Sequence, residues 1–352
     1  LWSSLLDTPV APGDNFFDLG GHSMVAVQMA SRVAKDTGAK LKMMPLATQT
    51  LAQLGMELPL SAFPAEPEEA VAPGMDPPIG EAVPDSGRAA FFGPPQRRLF
   101  GMLHAAASAP QATATAMLVA PPLLQEGLMS QRALWSLCEA MAERGTPAMR
   151  FDWFGAGDSM GEARDLSLPG MQDDLALAVA HLSERASGLR LLALRSSSLP
   201  VLAHAAAGST PVDLVLWDPV LRGAPMVERW RRLHAEQLTG VGRYILRKPV
   251  AAADDELLGF DVDPSLLDGL AELDVRSQPL PAGSRVLVAA WRVDQDLQDF
   301  IDAQAQAGVE VQVLRLTADD QPPWDDPVQF ENQALPRRSV GQLARALTED
   351  AA

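Results

Sequence analysis

The chain has 352 residues, 47% hydrophobic and 21% charged, so it can bury a sizeable core and wholesale disorder is excluded. Its formal net charge of −17 argues against a nucleic-acid partner, because phosphate binding needs clustered Lys and Arg. One cysteine makes neither an intramolecular disulfide nor a thiolate metal cluster, so a reduced, cytoplasmic setting and no metal are expected.

No apolar run approaches the roughly 18–20 residues of a membrane span, so no membrane contact is expected. The first residue is Leu1, with no basic stretch or apolar run of a signal peptide, which reads as a piece of a longer chain. The charge divides the sequence in three. Residues 1–55 carry four acids and four bases, residues 56–87 seven acids and no base, and residues 88–352 carry 34 acids and 24 bases. The middle stretch also holds seven prolines, from Pro59 to Pro84, and shows neither a helical nor a strand period. It reads as an extended, solvated linker of about 30 Å as a coil and up to ~100 Å as polyproline II. Such a tether holds its flanking domains at about millimolar effective concentration.

In residues 14–38 the apolar positions Met24, Val25, Val27, Met29 and Val33 predict a helix opening near Ser23, after Gly20 and Gly21. On its own Ser23 reads as an N-cap, and the same helix terminus favours a phosphate. The surrounding residues decide between the two. Asp14-Asn15-Phe16-Phe17-Asp18-Leu19-Gly20-Gly21-His22-Ser23-Met24, with its flanks over residues 1–55, resembles the carrier proteins of non-ribosomal peptide synthetases. The resemblance implies a small α-helical carrier bundle whose Ser23 receives 4′-phosphopantetheine from a phosphopantetheinyl transferase. It also implies an acyl or peptidyl substrate held as a thioester and upstream synthetase modules as partners. Most of the family's first helix is absent, and Leu46-Ala47-Thr48-Gln49-Thr50 replaces its usual signature before the last helix. His22, beside the serine, reads as a packing or capping residue.

From residue 88 apolar runs alternate with helical periods, the pattern of a mostly parallel sheet covered on both faces. Strands are expected at 116–120, 148–151, 189–194, 213–217, 285–290 and 310–316, after an antiparallel hairpin. Helices are expected at about 129–144, 169–186, 198–207, 295–307 and 339–349. The alternation breaks between residues 221 and 281, which reads as a lid insertion. This order over 88–350 resembles the α/β-hydrolase fold. Asp152, Gly155, Gly157 and Ser159 match that family's Asp-x-x-Gly-x-Gly-x-Ser loop. The strand end at Leu216, Trp217 and Pro219 is similar to the exosortase-system-associated hydrolases.

A working enzyme of that fold needs a nucleophile in a G-x-S-x-G elbow, an acid and a late histidine. Aligning strand ends puts Ala193, Arg195 and Ser197 at the glycine, nucleophile and glycine positions. A slip of one or two residues makes Ser196 or Ser197 the nucleophile, with Asp218 and Asp294 where the acid falls. No register restores a glycine, and none of the five histidines follows His234. Cys138, Trp135, Trp217 and Trp291 read as core. Two functions stay open. One is a thioesterase releasing the product of a non-ribosomal peptide or hybrid assembly line, with backbone N–H groups near Leu123 and Ser198 binding the oxyanion. The other is a catalytically inactive pseudo-hydrolase that binds, shields or docks the carrier-bound intermediate.

Overall fold

The computed structural model describes residues 88–106, 115–239, 255–324, 326 and 335–349. It also describes residues 10, 11, 14–16, 19, 29, 33, 50, 51, 53 and 54. The chain forms two compact units, Leu1–Gly80 and Glu81–Ala352. The expected linker, His22 and Ser23 lie outside the described residues.

In the first unit Phe16, Met29, Val33 and Leu54 are buried, Met29 and Val33 being one helical turn apart. Asn15 bridges Thr50. A capping box follows, in which the Thr50 N–H donates to Gln53 Oε1 at 2.8 Å and the Gln53 N–H to Thr50 Oγ1 at 3.4 Å. The unusual signature before the last helix therefore still ends in a helix-starting device.

The second unit is built on an eight-stranded sheet. Its strands are β1 (Arg88–Phe92), β2 (Leu99–His104), β3 (Thr115–Ala120), β4 (Ala148–Phe151), β5 (Gly188–Leu194), β6 (Asp213–Trp217), β9 (Arg285–Ala290) and β10 (Glu310–Arg315), with a small β7 (Glu256–Leu257) and β8 (Phe260–Asp261) hairpin apart from it. The order across the sheet is β1-β2-β4-β3-β5-β6-β9-β10. β1, β2 and β4 pair antiparallel and the remaining pairs are parallel. All six expected strands form within a residue of their expected ends.

The seven helices described in this unit are α1 (Leu124–Glu143), α2 (Leu168–Ser183), α3 (Ser198–Ala207), α4 (Gly223–Thr239), α5 (Pro264–Glu272), α6 (Gln295–Gln306) and α7 (Arg337–Glu349). α1 and α7 pack on one face and α2 to α6 on the other. The strands alternate to match. Leu118, Ala193, Leu216 and Val288 face one core, and Met117, Leu192, Trp217 and Ala289 the other, as period-two side chains in a doubly covered sheet must. Between β6 and β9 the described elements are α4, the β7–β8 hairpin and α5, and residues 240–254 of the expected lid lie outside the described residues.

Asp152, Gly155, Gly157 and Ser159 form one hydrogen-bonded turn. Gly157 has φ +56°, and a Cβ there would land on the Asp152 carboxylate, which accepts the Asp158 N–H at 3.0 Å. Ser159 Oγ donates to the Asp152 carbonyl at 2.6 Å and accepts the Phe100 N–H at 2.8 Å, tying the loop to β2.

Where α1 covers β2 and β4, His104 sits in a partly buried polar group with Glu139 of α1 and Arg150 of β4. His104 Nδ1 meets Glu139 Oε1 at 2.5 Å, and the Arg150 Nε–H donates to His104 Nε2 at 3.3 Å, so the imidazole is neutral with its proton on Nδ1. Burial holds the His104 pKa below 6.5, and the same cause lowers His181 and His204. The unfolded chain therefore takes up these protons first as pH falls. The stability present above pH 6.5 is lost as pH descends toward the folded-state values. Asp152 and Asp174, raised by burial, act in the opposite sense above pH 3.8. The urea midpoint should fall between about pH 7.5 and pH 5.5, and less steeply in His104→Gln, a flattening that urea titrations at the two pH values would register.

Candidate functional site

The site lies at the carboxyl ends of the parallel strands, where open α/β sheets take their ligands. β5 ends at Leu194 and α3 begins at Ser198, and between them Arg195 adopts φ +50°, a left-handed conformation costly for a side-chain-bearing residue. This is the strained strand-to-helix position that a hydrolase gives its nucleophile. Of Arg195, Ser196 and Ser197, the residues that the three registers offer, only Arg195 has this conformation. Two neighbours share the strain: Leu124, at the start of α1, has φ +52°, and Asp218, after β6, has φ +45°.

Ser196 and Ser197 follow inside the turn, both wholly buried. Ser196 Oγ accepts the Leu123 N–H at 2.9 Å. Ser197 Oγ accepts the Leu194 N–H at 2.9 Å and lies 2.9 Å from the Ala120 carbonyl and 3.0 Å from that of Leu194. Both hydroxyls bond backbone groups, that of Ser196 in the loop after β3 and that of Ser197 at the ends of β3 and β5. In the absence of the elbow glycines, these bonds and one ionic group hold the curve.

That group centres on Glu126, 1% exposed, in the first turn of α1. Its Oε1 accepts the Arg195 Nε–H at 3.1 Å and its Oε2 the Ser196 N–H at 3.2 Å. Arg195 Nη1 also donates to Asp218 Oδ2 at 2.6 Å. The N–H of the residue after the nucleophile position and one from the loop after β3 are the donors from which this fold builds an oxyanion hole. Here the Ser196 N–H is occupied by a carboxylate and the Leu123 N–H by the Ser196 hydroxyl. The expected oxyanion donors near Leu123 are thus already engaged. The sequence reading missed Glu126; the signal available was a carboxylate in the first turn of a helix, where the dipole favours it.

Asp294 and the acids of the loop after β10 are placed elsewhere. Asp294 caps α6, its carboxylate accepting the Leu297 N–H at 2.9 Å. Asp320 accepts the Ser339 N–H at 2.7 Å at the start of α7, and Asp319 pairs with Arg338 at 3.0 Å. The loop after β10, where the fold's histidine belongs, brings in Trp324 instead. Trp324 is 2% exposed, with its ring centroid 5.3 Å from that of Trp217 and 5.9 Å from that of Trp291. His234, in α4, accepts the Leu258 N–H on Nδ1 at 3.0 Å. Cys138 is buried in the core, where desolvation pushes its thiol up to about 12. Among the described residues no group of three or more His, Cys, Asp and Glu could hold a metal. Nor, among them, is any helix long and apolar enough to cross a membrane.

Comparison with known proteins separates the two units. Residues 1–57 match the family described as "Phosphopantetheine attachment site". The N-terminal segment is a carrier domain. Its prosthetic group is 4′-phosphopantetheine. Cyclosporin synthetase of Tolypocladium inflatum is 37% identical over 67 residues, which is 19% of this chain and rounds to 0% of that synthetase. The carrier domain is thus similar to those of non-ribosomal peptide synthetases. Est1E of Butyrivibrio proteoclasticus, solved with ferulic acid bound, superimposes with a TM-score of 0.51 at 14% identity, over 75% of this chain and 98% of that one. The second unit has the α/β-hydrolase fold, fused to the carrier domain.

Proposed function

We propose that Ser23 bears the phosphopantetheine arm and that the hydrolase-fold unit holds or docks the carrier-bound acyl or peptidyl intermediate without cleaving it. The bound arm supplies a thiol that carries the intermediate as a thioester. Its partners would be upstream synthetase modules and a phosphopantetheinyl transferase, in the cytoplasm.

The observation that carries this reading is Arg195 at the strained turn with Glu126 on the Ser196 N–H. A guanidinium has no lone pair to attack a thioester, because it stays protonated throughout the accessible pH range. A carboxylate on an oxyanion donor opposes by charge the very species that donor must stabilise. Asp218, in the expected position of the acid, neutralises Arg195 rather than orienting a histidine.

The order of a carrier followed by a hydrolase fold favours a second reading, thioesterase release of an assembly-line product with Ser196 or Ser197 as nucleophile. The two differ in one measurement. The full chain is loaded with an acyl-phosphopantetheine and its intact mass followed with time. The acyl group should be lost no faster than from the same free acyl-pantetheine. Faster loss that disappears in Ser196→Ala or Ser197→Ala would establish the thioesterase.

A further inference from the structure

A cavity of about 240 Å³ lies at the amino ends of the parallel strands, the end of the sheet away from the Arg195 turn. Its walls are Arg190 of β5, Asp213 of β6, Arg285 and Leu287 of β9, and Glu310 and Gln312 of β10. The strand register sets Arg190, Asp213, Arg285 and Glu310 in one row across four strands, with alternating charge. Arg190 Nη2 and Arg285 Nη2 both donate to Asp213 Oδ2, at 3.1 and 2.8 Å. Arg190 Nη1 reaches the Leu347 carbonyl in the last turn of α7 at 3.1 Å, but its buried Nε–H has no acceptor. Among the described residues Glu310 pairs with no cation and accepts one bond, from the Gln312 amide at 3.2 Å. The Arg285 side chain is 59% exposed, and Glu310 and Gln312 are exposed beside it, so the cavity opens to solvent.

Two guanidinium groups on one carboxylate leave the inner half of the cavity with one positive charge in excess. A buried N–H without an acceptor calls for one, and a carboxylate is the acceptor a guanidinium binds most strongly. The outer half has the opposite need, since the Glu310 carboxylate lacks a counter-ion. Arg285 and Glu310 face each other on adjacent strands, roughly 4.7–4.9 Å apart, yet no ion pair joins them among the described residues. The geometry points to a binding site for a free α-amino acid with an aliphatic side chain, formed by Arg190, Arg285 and Glu310. The ligand's carboxylate accepts from Arg190 Nε and Arg285, and its ammonium donates to Glu310. Half-buried Leu287 supplies an apolar wall for the side chain. The volume is below the roughly 300–1,000 Å³ of drug-sized sites, so the occupant is small. A simple carboxylic acid would bring its charge against Glu310, and a simple amine would meet the excess cation; a zwitterion answers both. The site is independent of any holding role at the Arg195 turn.

The test uses the full chain, 15N-labelled and carrying Ser23→Ala so that no loading intervenes. It is titrated with L-leucine, with 4-methylpentanoate, which lacks the ammonium, and with 3-methylbutylamine, which lacks the carboxylate. The Arg190 Nε–H resonance, assigned by its loss in Arg190→Lys, should shift saturably with leucine and stay fixed with the amine. 4-Methylpentanoate should bind about fivefold more weakly than leucine, the effect of one partly exposed charge pair. Glu310→Gln, a substitution at an exposed position, should weaken leucine about fivefold and 4-methylpentanoate not at all, so that the two ligands converge. No saturable shift with leucine means that water satisfies the Arg190 N–H and overturns the site. An undiminished preference for leucine over 4-methylpentanoate in Glu310→Gln overturns the role of Glu310, and with it the amino-acid ligand.

Discussion

Incubated with a phosphopantetheinyl transferase and coenzyme A, the full chain should gain the mass of one phosphopantetheine, and Ser23→Ala should gain none. The effect is all-or-none because the arm is attached through a single phosphodiester to a single hydroxyl. Two features of the sequence favour Ser23. The residues from Asp14 to Met24 carry the carrier motif, and the serine follows two glycines at an expected helix start, where free N–H groups and the helix dipole favour a phosphate. Ser31, the other serine between residues 23 and 55, stands in the expected helix interior, without those groups. Intact mass spectrometry after loading reads the result directly, and full modification of Ser23→Ala would move the attachment elsewhere.

The second large effect is on stability. Arg195→Met should destabilise the hydrolase-fold unit by about 3–5 kcal/mol, the usual result of removing one member of a buried ion pair. Glu126 would be left with only the Ser196 N–H, in a site where it is 1% exposed. Asp218 would lose its guanidinium at 2.6 Å while keeping a left-handed backbone. The loss therefore combines an uncompensated charge with strain no longer restrained. Arg195→Met combined with Glu126→Gln should be less destabilised than Arg195→Met alone, because the amide oxygen can still accept the Ser196 N–H without a stranded charge. Urea midpoints of the three variants at constant slope measure the coupling. Equal midpoints for single and double variants would mean that Glu126 does not depend on Arg195.

Much of the scaffold was legible because buried strands and amphipathic helices write their period into the sequence. β3, β5, β6 and β9 are short apolar runs bounded by turns, and α3 matches its expected bounds, Ser198–Ala207. α1 begins five residues before its expected start, because Gln125, Glu126 and Gly127 interrupt the apolar pattern and Leu124 enters with a positive φ. The site was harder to read. That Arg195 could stand at the elbow followed from counting along the strand. That Glu126 reaches it did not, since the two are 69 residues apart and the pairing depends on the adjacent strands β3 and β5. Asp294 and Asp320 show the converse limit. An acid at a strand end looks the same in sequence whether it orients a catalytic base or caps the next helix, and here both cap.

The bond from Ser196 to Glu126 also has a kinetic side. Its donor follows β5, its acceptor opens the helix after β3, and Arg195 adds Asp218 from the end of β6. Contacts so distant along the chain cannot close until three strand-and-loop units have docked, so the turn belongs to the late steps of folding rather than to any local nucleus. Its amide proton is then released to solvent only when that assembly comes apart. Deuterium uptake at Ser196 should follow global unfolding, and the buried turn would act as a clock for the integrity of the whole sheet.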